Sequence, residues 1–340
     1  MPLASVDGEI WRDRMASAMF QAATFRAATQ RRKFDADLAI LPNRKLRLPM
    51  EPQMRVRDFA QIDVFACRPF GGNPVAVVLN AEGLDGASMQ RLARWTNLSE
   101  TTFVLPPETP GGSYRVRIFT PRQELPFAGH PSIGTAHVVL EAGLAAPDAQ
   151  GQLIQECAAG RLPLRLRGEG ATRELFVRLP EPKLTPLAAI DQAQLEAALA
   201  APLTPAAAVN VGPVWIVAGL ASGEAVRALQ PDLPALTRLS LATGAVGISV
   251  YGRDGSGEAD LVVRSFVPAD GIPEDPVCGS GNGAIGAYLQ ARGALPASSY
   301  ASSQGRECGH DGRVRVEVDG EGRLWIGGQA RTCIRGHIEA

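Results

Sequence analysis

The chain has 340 residues, of which 45% are hydrophobic and 20% are charged, and its formal net charge at pH 7 is -1. This length is sufficient for two domains with real cores. A near-neutral chain carries no global basic field, which argues against nucleic acid as the main partner. The composition therefore favours a soluble globular protein that acts on a small molecule.

Three further functional classes are disfavoured by simple counts. No run of about 18 apolar residues is present, so no membrane span is predicted. The five cysteines are odd in number, scattered and without a CxxC pair, which fits neither a disulfide framework nor a zinc knuckle. The four histidines show no HExxH or clustered carboxylate spacing. These patterns predict a cytoplasmic protein with no metal.

Residues 1–54 differ from the rest of the chain. They are basic and alanine-rich and show no strand alternation. Their arginine content is typical of a transit peptide, but acidic residues such as Asp7 and Glu9 weaken that interpretation. We expect a disordered, dispensable extension; the alternative is a mis-called start, with the true start at Met54.

From Val56 onward the hydrophobic pattern predicts strands and helices in close succession. Helical spacing of apolar residues predicts a helix at 85–98, and a second helix follows the segment FAGHP. Gly143 suits the left-handed C-cap of that second helix. Strands are predicted in this half at 56–66, 75–79, 99–107, 113–121, 152–157, 162–167 and 173–180.

The second half repeats this alternation of predicted strands and helices. The segment DPVCGSGNGAIGAYL, residues 275–289, is predicted to be a glycine-rich turn that leads into an apolar helix. Other helices are predicted at 193–200 and 234–242, and strands at 212–220, 244–252, 259–268, 313–318 and 323–328.

Matched residues indicate an internal duplication. Pairs at an offset of 150 are Gly129 and Gly279, Glu124 and Glu274, Pro126 and Pro276, and Gly143 and Gly293; pairs at 147 are Arg117 and Arg264, Phe119 and Phe266, and Pro121 and Pro268. The difference of three falls in an intervening loop, where insertions are tolerated. A duplication in a mixed α+β chain predicts two similar lobes with a cleft between them.

Each repeat places glycines in the first turn of a helix. The first four N–H groups of a helix have no internal partner, and the helix dipole makes this end positive. Glycine also lets a ligand approach the backbone, so each helix start is a candidate anion cradle. The alternative is a tight, close-packed turn with no ligand.

Aligned positions in the two turns carry different chemistry. Ala128 corresponds to Cys278, and His130 corresponds to Ser280. A symmetric site with one thiol in each repeat is therefore excluded, and any proton transfer must be asymmetric.

Four ordered motifs carry a family resemblance that extends from about residue 55 to the C-terminus. The chain resembles the PhzF-like isomerases of phenazine biosynthesis, relatives of diaminopimelate epimerase and proline racemase, through DVFACRPFGGNPVAVV, LSETTFV, RIFTPRQELPFAGHPSIGTA and EDPVCGSGNGAIGAYL. The resemblance implies two lobes of the diaminopimelate-epimerase type, each a curled mixed sheet around a central helix. It places the lobes at 55–185 and 186–330, with the last strand, about 331–340, returning to the first lobe.

The resemblance also implies a reaction and a set of site residues. A glutamate that matches Glu100 moves a proton between carbons with no metal or organic cofactor, and the enzyme is a homodimer. The matching partners are His130 and Asp275 as further catalytic residues and Gly129, Gly279, Ser280 and Gly281 as substrate-binding residues.

Physical chemistry gives these side chains roles and alternatives. Partial burial would raise the pKa of Glu100 toward the working pH, whereas a solvated strand-edge glutamate would have no such role. His130 at a helix start is expected to be neutral and able to relay a proton, or else to satisfy a backbone carbonyl in a turn. Asp275 would hold a substrate amine or hydroxyl, orient His130 or cap the helix. Ser280 would donate to a substrate carboxylate or act as an ordinary N-cap.

Two residues are secondary candidates. Cys278 lies at a helix start that favours a thiolate, although many buried cysteines only fill space. Asn73 lies in the turn before the second strand. The sequence thus predicts a cofactor-independent isomerase that shifts a proton and a double bond on a small cyclic or amino-acid-like carboxylic acid, using Glu100. The alternatives are a racemase or epimerase that uses Cys278, and a non-catalytic metabolite-binding protein.

Overall fold

A computed structural model describes residues 55–340, except for the side chain of Ala171, and the predicted extension at 1–54 lies outside the described residues. The strands are β1 Val56–Val64, β2 Asn73–Val78, β3 Glu100–Leu105, β4 Tyr114–Phe119, β5 Glu124–Leu125, β6 Gln152–Cys157, β7 Gly160–Arg167, β8 Glu174–Arg178, β9 Lys183–Pro186, β10 Ala207–Asn210, β11 Val214–Gly219, β12 Gly247–Arg253, β13 Leu261–Val267, β14 Ile272–Asp275, β15 Ser299–Gln304, β16 Gly312–Val318 and β17 Leu324–Glu339. The α-helices are α1 Gly86–Thr96, α2 Gly129–Glu141, α3 Ala189–Leu199, α4 Gly223–Arg227, α5 Leu233–Thr243 and α6 Gly279–Ala291. Single 3₁₀ turns occur at Gly170–Thr172, Pro268–Asp270 and Arg306–Cys308.

The strands of the first repeat close into a ring around α2. β2 pairs in parallel with β3, β3 antiparallel with β4, β4 in parallel with β6, and antiparallel pairs then lead through β7 and β8 to β17. β17 and β2 both pair with β1, which completes the ring. Helix α2 is buried on nearly all sides and contacts β1, β2, β3, β8 and β17. A helix that is apolar all round belongs in such an interior.

The second repeat uses the same sequence of pairings. β11 pairs in parallel with β12, β12 antiparallel with β13, β13 in parallel with β15, and β15 antiparallel with β16. Its central helix, α6, is buried against β10, β11, β12, β16 and β17. Gly143 and Gly293, just past α2 and α6, have φ angles of 66° and 62°. The repeated topology thus matches the repeated sequence.

Strand β17 connects the two halves. Its first residues pair with β16 on one side and β8 on the other, and its last residues, Ala330–Glu339, pair with β1. The mixed α+β fold is confirmed, whereas the lobe boundaries at 55–185 and 186–330 stay predictions. No helix among residues 55–340 is long and apolar enough to cross a membrane.

Several elements were not predicted from sequence. β10 is alanine-rich, and four of the six residues of β15, SYASSQ, are serine or alanine, so neither strand shows a hydrophobic period. β9 and α4 are too short to give a pattern. The strands predicted at 323–328 and at about 331–340 form one continuous strand, β17, whose last ten residues pair with β1 from the opposite end of the described chain.

Candidate active site

The starts of the two central helices lie against each other. α2 begins at Gly129 and α6 begins at Gly279. A Cβ placed on Gly279 would lie 3.8 Å from the backbone nitrogen of His130 and 3.2 Å from Cζ of Phe65. Glycine at 279 therefore permits the close approach, and the positive ends of both helix dipoles point to one region.

Glu100 and His130 meet at this junction. Glu100 is the first residue of β3 and His130 is the second residue of α2. Glu100 Oε2 lies 3.2 Å from His130 Nε2, and their side chains are 15% and 9% exposed. The alignment does not give a hydrogen bond, so both atoms are buried without a hydrogen-bond partner among the described residues. Buried polar atoms are normally hydrogen-bonded, so this unpartnered pair marks a candidate point of contact with a ligand.

The environment of Glu100 favours its protonated form. Burial, and then the nearby charge of Asp275, together raise the pKa of its carboxyl group to about 8, although a hydrogen bond from Ser99 partly opposes them. A carboxyl group with this pKa exchanges protons readily near neutral pH, as a general acid and base must.

His130 is neutral in this site. Burial lowers the pKa of its imidazole to about 3, and a hydrogen bond to the backbone of Pro74 only partly opposes this. The expected neutral state is thus produced mainly by burial and not by the helix dipole alone. A neutral ring keeps one donor nitrogen and one acceptor nitrogen.

Asp275 is held by Asn73 from the other repeat. Asn73 Nδ2 donates to Asp275 Oδ1 and to the carbonyl of Val277, both at 3.0 Å. Asn73 Oδ1 accepts from Ser99 Oγ at 3.2 Å. Burial raises the pKa of Asp275 to about 6, and a hydrogen bond with Cys278 lowers it. Asp275 also accepts the Val277 N–H at 3.2 Å, so its hydrogen bonds within the described chain serve the turn and Asn73 and not His130.

Cys278 caps helix α6. Its Sγ accepts the backbone N–H of Gly281 at 3.3 Å, and the residue is 3% exposed. Burial, and then the charge of Asp275, raise the pKa of the thiol well above its usual value. The neutral thiol is therefore the stable form, and the N–H of Gly281 is already used in the cap.

Ser280 has a partner that sequence reasoning missed. Trp215 on β11 donates its indole Nε1–H to Ser280 Oγ at 3.1 Å. Trp215 is 3% exposed and reads in the sequence as an ordinary core residue of a strand. The packing of α6 against β11, which depends on the fold, brings it to the start of α6.

Phe65 was also missed. It is fully buried and has a φ of 63°, which is unusual for a bulky residue. Such backbone strain occurs where surrounding structure fixes it, often at functional sites. No sequence signal marks this position, because the residue follows directly after a strand of ordinary pattern.

The predicted residues do not line the cavity of about 190 Å³ found beside the turn that precedes β2. Asp63, Phe70, Pro74, His310 and Cys333 are among the residues that line that cavity. Glu100 and His130 instead lie under cover at the helix junction. Within residues 55–340, no group of three or more His, Cys, Asp or Glu side chains is arranged to hold a metal ion.

Comparisons with known proteins agree with the resemblance noted in the sequence. Residues 62–336 match the phenazine biosynthesis-like protein family, PhzC-PhzF. A Schizosaccharomyces pombe protein named antisense-enhancing sequence 1 is 38% identical over 295 residues, covering 83% of this chain and 99% of the relative. A Pseudomonas aeruginosa protein named trans-2,3-dihydro-3-hydroxyanthranilate isomerase is 35% identical over 266 residues, covering 78% of this chain and 91% of the relative.

A solved structure shows the same similarity. The crystal structure of the Bacillus anthracis phenazine biosynthesis protein of the PhzF family superposes with a TM-score of 0.71 at 26% identity, covering 84% of this chain and 99% of that chain. The chain belongs to the phenazine biosynthesis-like protein family and is an isomerase of that family.

Proposed function

We propose that this isomerase moves a proton within a small carboxylic acid without a cofactor, and that Glu100 acts first as base and then as acid. The contact that carries the proposal is the 3.2 Å approach of Glu100 Oε2 to His130 Nε2, with both atoms buried and without a hydrogen-bond partner in the described chain. A pKa of about 8 for Glu100 suits a group that must take up a proton and return it.

The substrate class follows from the helix junction and from the relatives. Two helix starts favour an anion, so a carboxylate fits them. The relative from Pseudomonas aeruginosa is named for action on trans-2,3-dihydro-3-hydroxyanthranilate, a cyclic amino acid. We assign this chain a substrate of that chemistry: a small cyclic or amino-acid-like carboxylic acid.

The proton transfer conserves atoms and charge. The carboxylate of Glu100 removes a proton from one carbon, and the electron pair of that C–H bond moves to form a new double bond. The existing double bond shifts, and protonated Glu100 returns the proton to a different carbon. Neutral His130 relays a proton or donates a hydrogen bond, and Asp275, held by Asn73, binds an amine or hydroxyl of the substrate.

The geometry favours Glu100 over Cys278 as the base. Cys278 is buried, accepts the N–H of Gly281 and has a raised thiol pKa, so little thiolate forms at neutral pH. A nucleophilic or basic cysteine requires the thiolate. The racemase alternative therefore needs a change in this environment that Glu100 does not need.

The decisive experiment is Glu100→Gln assayed in deuterated buffer with trans-2,3-dihydro-3-hydroxyanthranilate. We expect the rates of isomerisation and of solvent exchange to fall by at least about a thousandfold, because the exchanging carboxyl group is lost. The affinity of the variant for the substrate should stay within a few-fold of the wild-type value. Glu108→Gln is the matched control, since Glu108 is an exposed carboxylate whose partner is Arg115. Exchange retained in Glu100→Gln overturns the mechanism, and exchange absent from the wild type favours a binding protein.

We also propose that the protein is a homodimer, as the family resemblance implies. Light scattering of the full chain should give twice the monomer mass of 35.9 kDa. A monomeric mass at micromolar concentration would contradict it.

A further inference from the structure

The internal duplication identifies the counterpart of Glu100 in the second repeat. An offset of 147 relates Phe119 on β4 to Phe266 on β13, and the same offset relates Glu100 to Gly247. Glu100 and Gly247 are each the first residue of the corresponding strand, β3 and β12. The position that carries an acid in the first repeat therefore has no side chain in the second.

Trp215 occupies the space beside Gly247. It is the direct partner of Gly247 in the parallel pair of β11 and β12. A Cβ on Gly247 would collide with the backbone oxygen of Phe266 and would also lie 2.9 Å from Trp215 Cζ3, closer than real side chains approach. Glycine at 247 thus makes room for the indole ring, which is 3% exposed.

The indole fixes the state of Ser280. Trp215 Nε1 donates to Ser280 Oγ at 3.1 Å, and an indole N–H can only donate. The serine oxygen therefore accepts, and its own proton points to another acceptor. Cys278 Sγ, at 3.7 Å, is a weak acceptor. The hydroxyl proton of Ser280 remains available to a stronger acceptor, such as a carboxylate.

The two repeats thus differ at the start of their central helices: Gly247 stands in place of Glu100, and Trp215 from the neighbouring strand fills the space beside it. Ser280 corresponds to His130 at an offset of 150. Glu100 and His130 form an acid–base pair in the first repeat, while Trp215 and Ser280 form a chain of donors in the second. A chain of donors holds an anion but moves no proton from carbon.

We propose that Trp215 is a positioning residue that orients Ser280 to donate a hydrogen bond to the substrate carboxylate. The inference rests on the proposed function for the identity of the ligand. It assigns substrate anchoring to the second repeat and proton transfer to the first. Loss of the indole N–H should then weaken binding more than chemistry.

The kinetic test is Trp215→Phe, which keeps an aromatic ring and removes the donor. With trans-2,3-dihydro-3-hydroxyanthranilate, we expect KM to rise about fivefold to tenfold, the effect of one lost neutral hydrogen bond, and kcat to stay within about twofold. Ser280→Ala should also raise KM, and the double variant should match Ser280→Ala alone, because Trp215 acts through Ser280.

Trp325→Phe provides the matched control. Trp325 also lies on a strand, is 2% exposed and donates its indole N–H to a side chain, Asp319 Oδ2, at 2.9 Å. We expect this variant to leave KM and kcat unchanged. Equal effects of Trp215→Phe and Trp325→Phe, a change in kcat alone, or additive effects of Trp215→Phe and Ser280→Ala would each overturn the proposal.

A readout without turnover separates this inference from the proposed reaction. In ¹⁵N-labelled protein, the indole signal of Trp215, assigned with Trp215→Phe, should shift when 3-hydroxyanthranilate is added, and the shift should disappear in Ser280→Ala. If the wild type gives that result but does not isomerise trans-2,3-dihydro-3-hydroxyanthranilate, the proposed reaction is wrong and the inference about Trp215 still holds. If the indole chemical shift of Trp215 changes neither on addition of 3-hydroxyanthranilate nor in Ser280→Ala, the inference itself is overturned.

Discussion

Asn73 Nδ2 donates to Asp275 Oδ1 at 3.0 Å, joining residues that are 202 positions apart in the chain. The same amide accepts from Ser99 Oγ through its oxygen, and Ser99 directly precedes Glu100. Asn73 is 1% exposed, so these contacts are shielded from solvent. One buried amide therefore links the side chain of Ser99, next to the proposed base, with the carboxyl group of Asp275 in the second repeat.

Asn73→Ala should reduce kcat/KM by roughly tenfold to a hundredfold. The variant removes a donor to a buried carboxylate, and a hydrogen bond to a charged group contributes about 1.5–3 kcal/mol. It should also move the pKa of Asp275 further above its present value of about 6, because the charged form loses a donor. The measurement is kcat/KM against pH from 5 to 9.

Ser99→Ala is the graded control for Asn73. It removes the contact to Asn73 Oδ1 and the hydrogen bond to Glu100, and it leaves the donor to Asp275 in place. We expect a smaller loss and no shift of the Asp275 titration. Wild-type kinetics in Asn73→Ala would show that the bridge has no role in the reaction.

The rate should depend on the ionisation of Glu100. Burial raises the pKa of this group to about 8, so the proton is held up to higher pH and only about a tenth of the carboxyl groups are ionised at pH 7. Because the base form is the carboxylate, kcat/KM should rise about tenfold per pH unit between about pH 6, where Asp275 titrates, and pH 8, and it should level off above pH 8.

The contrast is with an ordinary glutamate. A carboxyl group with the usual pKa near 4.5 would leave only the Asp275 step near pH 6 and a flat profile between pH 7 and 9. His130 adds no step in this range, because burial lowers its pKa to about 3 and the ring stays neutral throughout. A flat profile for the wild type would contradict the assigned environment of Glu100.

The sequence predicts much of this site because the duplication leaves marks at matched positions. Gly129 and Gly279 mark both helix starts, and the motif around Glu100 marks the proposed base. The contact between the two helix starts depends on how the sheets of the two repeats pack together, and no local sequence pattern encodes that packing. Trp215 illustrates this limit, since its hydrogen bond spans 65 positions and its neighbours read as an ordinary strand.

Cys278 shows a second limit, where two physical effects oppose each other. A helix start lowers the pKa of a thiol, and burial raises it. The sequence reveals the helix start but not the burial. In the structure burial is the larger effect, so the pKa of Cys278 is raised and the thiol is neutral.

Cys278→Ser should therefore keep activity within about threefold of the wild type. Serine retains an oxygen that can accept the Gly281 N–H and cap α6. Cys278→Ala should keep the chemistry but lower the free energy of unfolding by about 1 kcal/mol, the usual contribution of an N-cap. The measurements are turnover, iodoacetamide inactivation and urea unfolding. Complete inactivation of Cys278→Ser with an intact fold would favour the racemase mechanism.

A matched pair of salt bridges tests how burial changes the value of the same interaction. Arg264 and Glu274 in the second repeat correspond to Arg117 and Glu124 in the first, and each arginine donates twice to its glutamate. The side chains of Arg264 and Glu274 are 8% and 10% exposed. Those of Arg117 and Glu124 are 30% and 36% exposed.

Glu274→Gln should lower the free energy of unfolding by about 3 kcal/mol or more, since it leaves the guanidinium of Arg264 buried without its counter-charge. Glu124→Gln should cost at most about 1 kcal/mol, because solvent screens the more exposed pair. Urea unfolding midpoints of the two variants measure the difference directly. Since Glu274 immediately precedes Asp275 in β14, the buried variant should also reduce kcat/KM, whereas the exposed one should not. Equal midpoints for the two variants would contradict this expectation. They would mean that other acceptors satisfy the Arg264 guanidinium, for example the Leu229 carbonyl, to which it already donates at 2.7 Å.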